Sequence, residues 1–138
     1  MSSIEIPDTI TSIGYRAFVG CGNLTSIDLP NGLTTIGDEA FYGCKKLKDI
    51  KLPDGLTSIG TTAFLQCWSI ESINIPSSVT TIGKCAFSHW TSDQTINCEI
   101  LESEKPDTWD EHWDYFSHNT QTDVYTERQA NLFWGVSM

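Results

Sequence analysis

Basic side chains are scarce in this sequence. Its 138 residues include eight lysines and arginines against eighteen aspartates and glutamates, which gives a formal net charge of −10. A protein that binds nucleic acid concentrates lysine and arginine on one face to neutralise phosphates. Here only Lys45, Lys46, Lys48 and Lys51 lie close together, and a solvated turn accounts for them. The composition therefore argues against nucleic acid as a partner.

Long apolar runs are also missing. A membrane-spanning helix needs roughly 20 consecutive apolar residues, and the sequence contains no such run. A secretory signal would begin with basic residues followed by an apolar stretch, whereas Met1 leads within a few residues into the pattern described below. We therefore expect no membrane insertion, and the start of the chain indicates no export route or compartment.

The residues that usually perform catalysis are few and scattered. His89, His112 and His118 are the histidines, and none lies at ligand spacing from a cysteine or carboxylate. The glycines are spread along the chain rather than gathered in a loop that could cradle phosphate. A triad assembled from distant residues is the remaining route to an enzyme. The sequence predicts no catalytic residue, no metal site and no cofactor.

What the sequence does contain is a repeat of 23 residues. A fixed period in this range, with apolar residues held in phase, is typical of a solenoid. Each coil is too short to enclose a core and must bury its apolar side against its neighbours. The recurring positions are Pro7, Pro30, Pro53 and Pro76, then Gly14, Gly37, Gly60 and Gly83, then Phe18, Phe41, Phe64 and Phe87, each phenylalanine preceded by alanine.

The second repeat shows how a coil begins. Ile27 and Leu29 alternate with Ser26 and Asp28, which is the pattern of a strand with one buried face. Pro30 ends the strand, because proline has no N–H to contribute to a ladder. Stacked coils then place equivalent residues in columns with a spacing of about 4.8 Å.

The rest of the coil returns along a far wall. Leu33 and Ile36 point inward in a second short strand. Gly37 either supplies a backbone angle that other residues avoid or allows neighbouring coils to approach closely. Phe41 and Cys44 then fill the far wall through a tight arc that resembles a 3₁₀ turn.

The cysteines follow the same columns. Cys21, Cys44 and Cys67 recur at the repeat spacing, close enough for disulfides. Their side chains should all point into the core, however, so we expect buried free thiols that act as small apolar groups. Cys98 replaces a strand leucine and should also be buried. Cys85 stands where other repeats carry polar residues, and we expect it to be exposed.

This repeat resembles the BspA-like leucine-rich repeat family, whose unit is roughly L-x-x-I-x-L-P-x-x-L-x-x-I-G-x-x-A-F-x-x-C. The resemblance implies a right-handed leucine-rich-repeat solenoid, with a parallel β-sheet on one face and short strands and 3₁₀ turns on the other. It also implies a domain at a cell or particle surface that binds host or matrix proteins. It covers residues 4–98 and extends to Cys98-Glu99, Pro106, Trp109, Trp113 and Trp134-Gly135, which match the family's usual ending.

We divide the chain into a solenoid of about four repeats plus a last strand, residues 1–98, and an irregular aromatic C-terminal cap, residues 99–138. Thr108 and Glu111 have the spacing of a capping box, which predicts a helix with Trp109, Trp113 and Phe116 on its apolar face. That helix would cover the last coil. An acidic patch that binds Ca²⁺ or a basic partner is the alternative. Two short strands, from Val124 and from Leu132, should seal this end.

Outward-facing strand residues form the candidate binding surface, because solenoids use such faces to bind partners. A solvated face without a ligand is the alternative. Trp68 and Trp90 lie in turns, Trp90 at a position where cysteine would recur, and exposed tryptophan often anchors interfaces. Either could instead pack against the cap. The candidate binding residues are Asp28, Asp49, Lys51, Asn74, Asn97, Trp68 and Trp90.

The N-terminal coil suggests a different role. Ile4 and Ile6 already belong to a strand, so the first coil should present an unpaired edge and an apolar end, which invite further pairing. We therefore expect a non-catalytic interaction or adhesion module that binds a protein, or less readily a glycan, through its solenoid surface. The alternative is a structural subunit of a virion or cell-surface assembly, docked through Ile4 and Ile6, with oligomers forming at this edge.

Overall fold

The chain folds as a parallel β-solenoid of about four turns. The structure, a computed structural model, describes residues 3–114, 117–119, 124–126 and 130–135. The strands are β1 (Ser3–Glu5), β2 (Ser12–Ile13), β3 (Ser26–Asp28), β4 (Thr35–Ile36), β5 (Asp49–Ile50), β6 (Ser58–Ile59), β7 (Ser72–Ile75), β8 (Thr81–Ile82), β9 (Thr95–Cys98), β10 (Ser117–Asn119), β11 (Val124–Thr126) and β12 (Asn131–Trp134). A 3₁₀ helix spans Glu102–Glu104.

Each coil contributes one strand to each of two sheets. The first sheet consists of two parallel halves, β1-β3-β5 and β7-β9-β12, and the second sheet is the continuous parallel series β2-β4-β6-β8. Within the repeats the register advances by one repeat length, so that Ile4 pairs with Ile27 and Ile36 with Ile59. The predicted solenoid with its parallel sheet is confirmed, because equal coil lengths place equal residues in contact.

The core lies between the two sheets and the far wall. Phe18, Phe41, Phe64 and Phe87 stack in a file, with ring centroids 5.3–5.5 Å apart and ring planes within 8° of parallel. The far wall of each coil consists of tight turns. One of them is closed by the hydrogen bond that the Cys44 amide donates to the Phe41 carbonyl. The aliphatic columns of both sheets close over this file.

The repeated glycine permits close approach of coils. A Cβ added to Gly37 would lie 2.9 Å from the Gly14 carbonyl carbon, and one added to Gly83 would lie 2.7 Å from the Gly60 carbonyl carbon. None of these glycines has a positive φ. Left-handed backbone occurs instead in two other columns of the arc: Arg16, Glu39, Thr62 and Cys85, with φ between 50° and 56°, and Gly20, Gly43, Gln66 and His89, with φ between 62° and 75°.

The predicted helix from Thr108 is wrong. Residues 107–108 and 111–114 form turns, and Trp109 between them makes a parallel bridge with Ile82. The Asp110 amide donates to the Ile82 carbonyl at 2.8 Å, just as the Gly83 amide donates to Ile59 at 2.9 Å. A helix would use these N–H groups internally, whereas extended backbone continues the second sheet. Phe116 lies outside the described residues.

The chain beyond β9 therefore continues the coil. The Thr108 hydroxyl donates a hydrogen bond to the Thr80 carbonyl. It repeats the bond of the preceding coil, in which the Thr80 hydroxyl donates to the Thr57 carbonyl at 3.2 Å. β12 pairs in parallel with β9, which confirms the strand predicted there. β11, also predicted, pairs with β10 in an antiparallel hairpin. In the described ranges, no helical segment has the length and apolar character needed to span a bilayer.

Candidate binding surface

The outer face of the first sheet presents polar side chains at equivalent positions in both of its halves. Glu5 pairs in register with Asp28, and further along Asn74 pairs with Asn97. Asp28, Asp49, Lys51 and Asn74 are exposed, and Asn97 is half-buried. The structure thus places all five strand candidates on or directly beside this sheet.

Asn74 and Asn97 are linked through their side chains. The Asn97 Nδ2 donates to the Asn74 Oδ1 at 2.9 Å. This bond holds two amide groups side by side on adjacent strands, so less side-chain entropy is lost when a ligand binds them. The pair is a prepared polar contact for another amide or for hydroxyl groups.

A groove lies where the first sheet is interrupted. β5 and β7 belong to different halves of the sheet and do not pair. A cavity of about 530 Å³ lies beside this interruption. It is lined mainly by residues in and next to β3 and β5 and reaches β7 at Ser72, and its lining includes the polar Asp28, Asp49 and Lys51 and the apolar Leu29 and Ile50. Three of the predicted binding residues therefore share one concavity, whereas Asn74 and Asn97 lie outside its lining.

Trp68 is at the surface, near the start of β7. Its side chain is 46% exposed, and its indole Nε1 donates to the His89 carbonyl at 2.9 Å. The Lys45 ammonium lies 5.3 Å from the ring centroid, a distance at which a cation is attracted to the aromatic face. Trp68 is thus a rigid exposed aromatic group, available to a partner.

Trp90 is not available to a partner, so its inclusion among the binding residues is wrong. It is 1% exposed, because its side chain enters the core at the position of the cysteine column. Its Nε1 donates to the Phe64 carbonyl at 2.9 Å, replacing the thiol bond that Cys67 makes to Phe41 at 3.1 Å. The larger indole also packs edge-on against Phe87, with centroids 5.1 Å apart.

Cys85 is likewise buried, contrary to the expectation from its polar neighbours in the repeat. It is only 4% exposed, because the segment that begins at Pro106 covers it. The Cys85 amide donates to the His112 carbonyl at 3.0 Å. Cys44, Cys67 and Cys98 are buried as expected, whereas Cys21, in the less covered first coil, is only partly buried; all five cysteines are free thiols.

Alkaline pH should destabilise the fold through these thiols. Burial raises the pKa of Cys44 to about 11 and that of Cys98 to about 12. Between the ordinary thiol pKa of 9.0 and these values, unfolded thiols ionise while folded ones keep their protons, so stability falls as pH rises. Between pH 9 and pH 12, the melting temperature of a Cys44→Ala, Cys98→Ala double variant should therefore fall less than that of the unmodified protein. An identical pH dependence in both proteins would contradict this cause.

Phe133 is a surface residue that the sequence prediction missed. It pairs in register with Asn97 and is 54% exposed. In β12 the exposed Asn131 and Phe133 alternate with the half-buried Leu132 and Trp134, and this alternation, applied to the predicted strand, would have placed Phe133 outward. The outer face of this half of the sheet therefore ends in an aromatic ring.

The N-terminal coil is less well covered than the others. Ile4 and Ile6 are only partly buried, as is Phe18 at the end of the ring file. β1 and β2 are the edge strands of their sheets. Ile10, in the same coil, is 38% exposed.

The described residues include no group of three histidine, cysteine, aspartate or glutamate side chains close enough to hold a metal ion. Among the acidic residues near Pro106, Asp110 accepts a hydrogen bond from the His112 amide at 2.8 Å through Oδ1. Asp114 is buried. These two carboxylates are therefore parts of the folded cap.

Comparison with known proteins agrees with this architecture. A family model described as a BspA type leucine-rich repeat region matches residues 1–103, with six copies of the repeat. No curated protein matches the chain.

Three solved structures are similar. A T. pallidum leucine-rich repeat protein is 28% identical, with a TM-score of 0.63 over 69% of this chain and 57% of that one. A leucine-rich repeat protein from Bacteroides ovatus is 31% identical, with a TM-score of 0.61 over 70% and 30%. A leucine-rich cell surface protein from Faecalibacterium prausnitzii is 24% identical, with a TM-score of 0.69 over 99% and 33%. The chain thus spans about a third to three fifths of their lengths.

Proposed function

The chain belongs to the BspA-type leucine-rich repeat family, and on this premise we propose that it is a non-catalytic interaction module that binds a protein, or less readily a glycan. Leucine-rich repeat domains of this kind generally serve as interaction modules. The observation that carries the proposal is the outer face of the first sheet. There Glu5 and Asp28 lie side by side in one half of the sheet, and in the other half Asn74 and Asn97 are followed by the exposed ring of Phe133.

The chemistry of this face suits recognition of a folded or extended partner. Paired amides at Asn74 and Asn97 supply hydrogen-bonding groups, and Phe133 and Trp68 supply exposed aromatic surface. Interfaces combine such aromatic anchors with a polar surround. An adhesion role at a cell or particle surface follows from the family resemblance and is part of the proposal.

Alanine substitutions test the surface. We expect Lys51→Ala and Asn74→Ala each to weaken binding about fivefold or more, as for interface residues that contribute over 1 kcal/mol. The measurement is binding of the immobilised domain to an array of purified matrix proteins and glycans. Thr81→Ala, an exposed change in β8 of the second sheet, is the matched control. Equal binding by all variants would place the interaction elsewhere.

The alternative function is that of a structural subunit docked through its first coil. The observation that favours it is the partly exposed apolar end formed by Ile4, Ile6 and Ile10. If it is correct, Ile4→Asp and Ile6→Asp should release the chain from its assembly in sedimentation, while Lys51→Ala leaves the assembly intact. Retention of the aspartate variants in the assembly would contradict it.

A further inference from the structure

The interruption between β5 and β7 leaves two strand edges unpaired inside the first sheet. Among the described residues, β5 pairs with β3 alone and β7 with β9 alone. The second sheet is unbroken at the same two coils, where β6 pairs with β8. Phe64 and Phe87 also remain stacked at 5.5 Å. The coils are therefore held together on one side and parted on the other.

Unpaired strand edges offer N–H and C=O groups to an incoming extended chain. Here the 530 Å³ groove is lined by residues in and next to β3 and β5 and reaches the edge of β7 at Ser72. Its apolar lining includes Ile50 and Leu29, both half-buried. An extended segment places alternate side chains on opposite sides, so one set can contact this apolar lining while the other set faces the acidic outer rim.

The charge on that rim is negative. Lys48 forms an ion pair with Glu71 at 3.9 Å, so these two charges offset each other. The other charged groups that line the groove are three carboxylates, Asp28, Asp49 and Asp54, and one ammonium group, Lys51. The net charge of −10 on the whole chain also attracts cations over longer distances. Charge complementarity therefore favours a ligand with lysine or arginine side chains.

We propose that this groove binds an extended basic peptide segment of a partner protein. The segment pairs its backbone with the edges of β5 and β7, and its alternate basic side chains lie against Asp28, Asp49 and Asp54. This inference rests on the proposed interaction function and names its ligand class and its location. The outer face near Asn97 and Phe133 is then a separate part of the surface.

The test uses a fluorescent ten-residue peptide of alternating lysine and threonine. One control peptide carries glutamate for lysine, and a second is N-methylated at each threonine, which removes backbone donors. We expect binding by fluorescence anisotropy for the first peptide, none for the glutamate peptide, and about tenfold or more weakening by N-methylation, as expected from losing hydrogen bonds worth about 1 kcal/mol each.

Variants locate the binding. Asp49→Asn and Asp54→Asn should each weaken binding about two- to fivefold, the range of an exposed ion pair. Glu102→Gln removes an exposed carboxylate that lies outside both the groove lining and the outer face of the first sheet, so it should change nothing. Hydrogen exchange should show protection of the β5 and β7 amides when the peptide is bound.

Three outcomes would overturn the inference: no binding of the lysine peptide, equal binding of its N-methylated form, or equal effects of Asp49→Asn and Glu102→Gln. If the peptide fails while Asn74→Ala, a change outside the groove lining, still weakens binding on the array, the groove assignment alone is wrong. Failure of both experiments would remove the proposed function as well.

Discussion

Phe64→Ala is expected to lower the free energy of unfolding by about 3–5 kcal/mol. The Phe64 ring is fully buried and stacks between Phe41 at 5.3 Å and Phe87 at 5.5 Å. Truncation removes aromatic contact on both faces and opens a cavity in the middle of the file. The cavity closes poorly, because β6 is paired on both sides in the second sheet. Urea unfolding followed by circular dichroism measures the loss.

Phe18→Ala is the matched control for this change. Phe18 is at the end of the same file, stacks on Phe41 alone among the described residues, and is only partly buried. Its truncation should therefore cost about half as much or less, since less apolar surface leaves the core. If the two variants lost equal stability, the ring file would not be the continuous core of the solenoid.

Gly60→Ala is expected to destabilise the protein by about 1–3 kcal/mol or more, the range for forcing extra atoms into a packed interior. A Cβ on Gly60 would lie 2.5 Å from the Gly37 carbonyl carbon and would also strike the Asp38 amide nitrogen. Both obstacles are backbone, so relief requires the coils to separate. Separation would stretch the bond from the Gly60 amide to the Ile36 carbonyl, now 2.8 Å.

Gly14→Ala makes the same chemical change at the equivalent position of the first coil. No atom lies within 4 Å of the added Cβ there, so the substitution should be neutral or stabilise by about 0.4–1 kcal/mol through the unfolded chain. Comparing the melting curves of the Gly60→Ala and Gly14→Ala variants separates the effect of close coil-to-coil contact from any general effect of replacing a glycine. Equal destabilisation by both variants would refute the close-approach role.

The sequence alone was sufficient for the solenoid and for most of its core. Identical spacing of Ile27, Phe41 and their equivalents means that any in-register stacking brings like residues together, and the apolar pattern of each coil permits no other burial. The same periodicity assigns Asp28, Lys51 and Asn74 to the outer face. It could also have assigned Phe133, because the strand alternation continues in β12.

Only the tertiary structure decided the features that lie where the repeat is lost. Trp90 takes the place of the cysteine that would recur there, and it enters the core because its indole N–H donates to the Phe64 carbonyl. Cys85 is buried because a segment distant in the sequence covers it. Trp109 is extended rather than helical because Ile82 offers an unpaired edge. The repeat period also gives no indication that β5 and β7 do not pair. Contacts between unlike segments depend on their meeting in space, and a repeating pattern specifies contacts only between like segments.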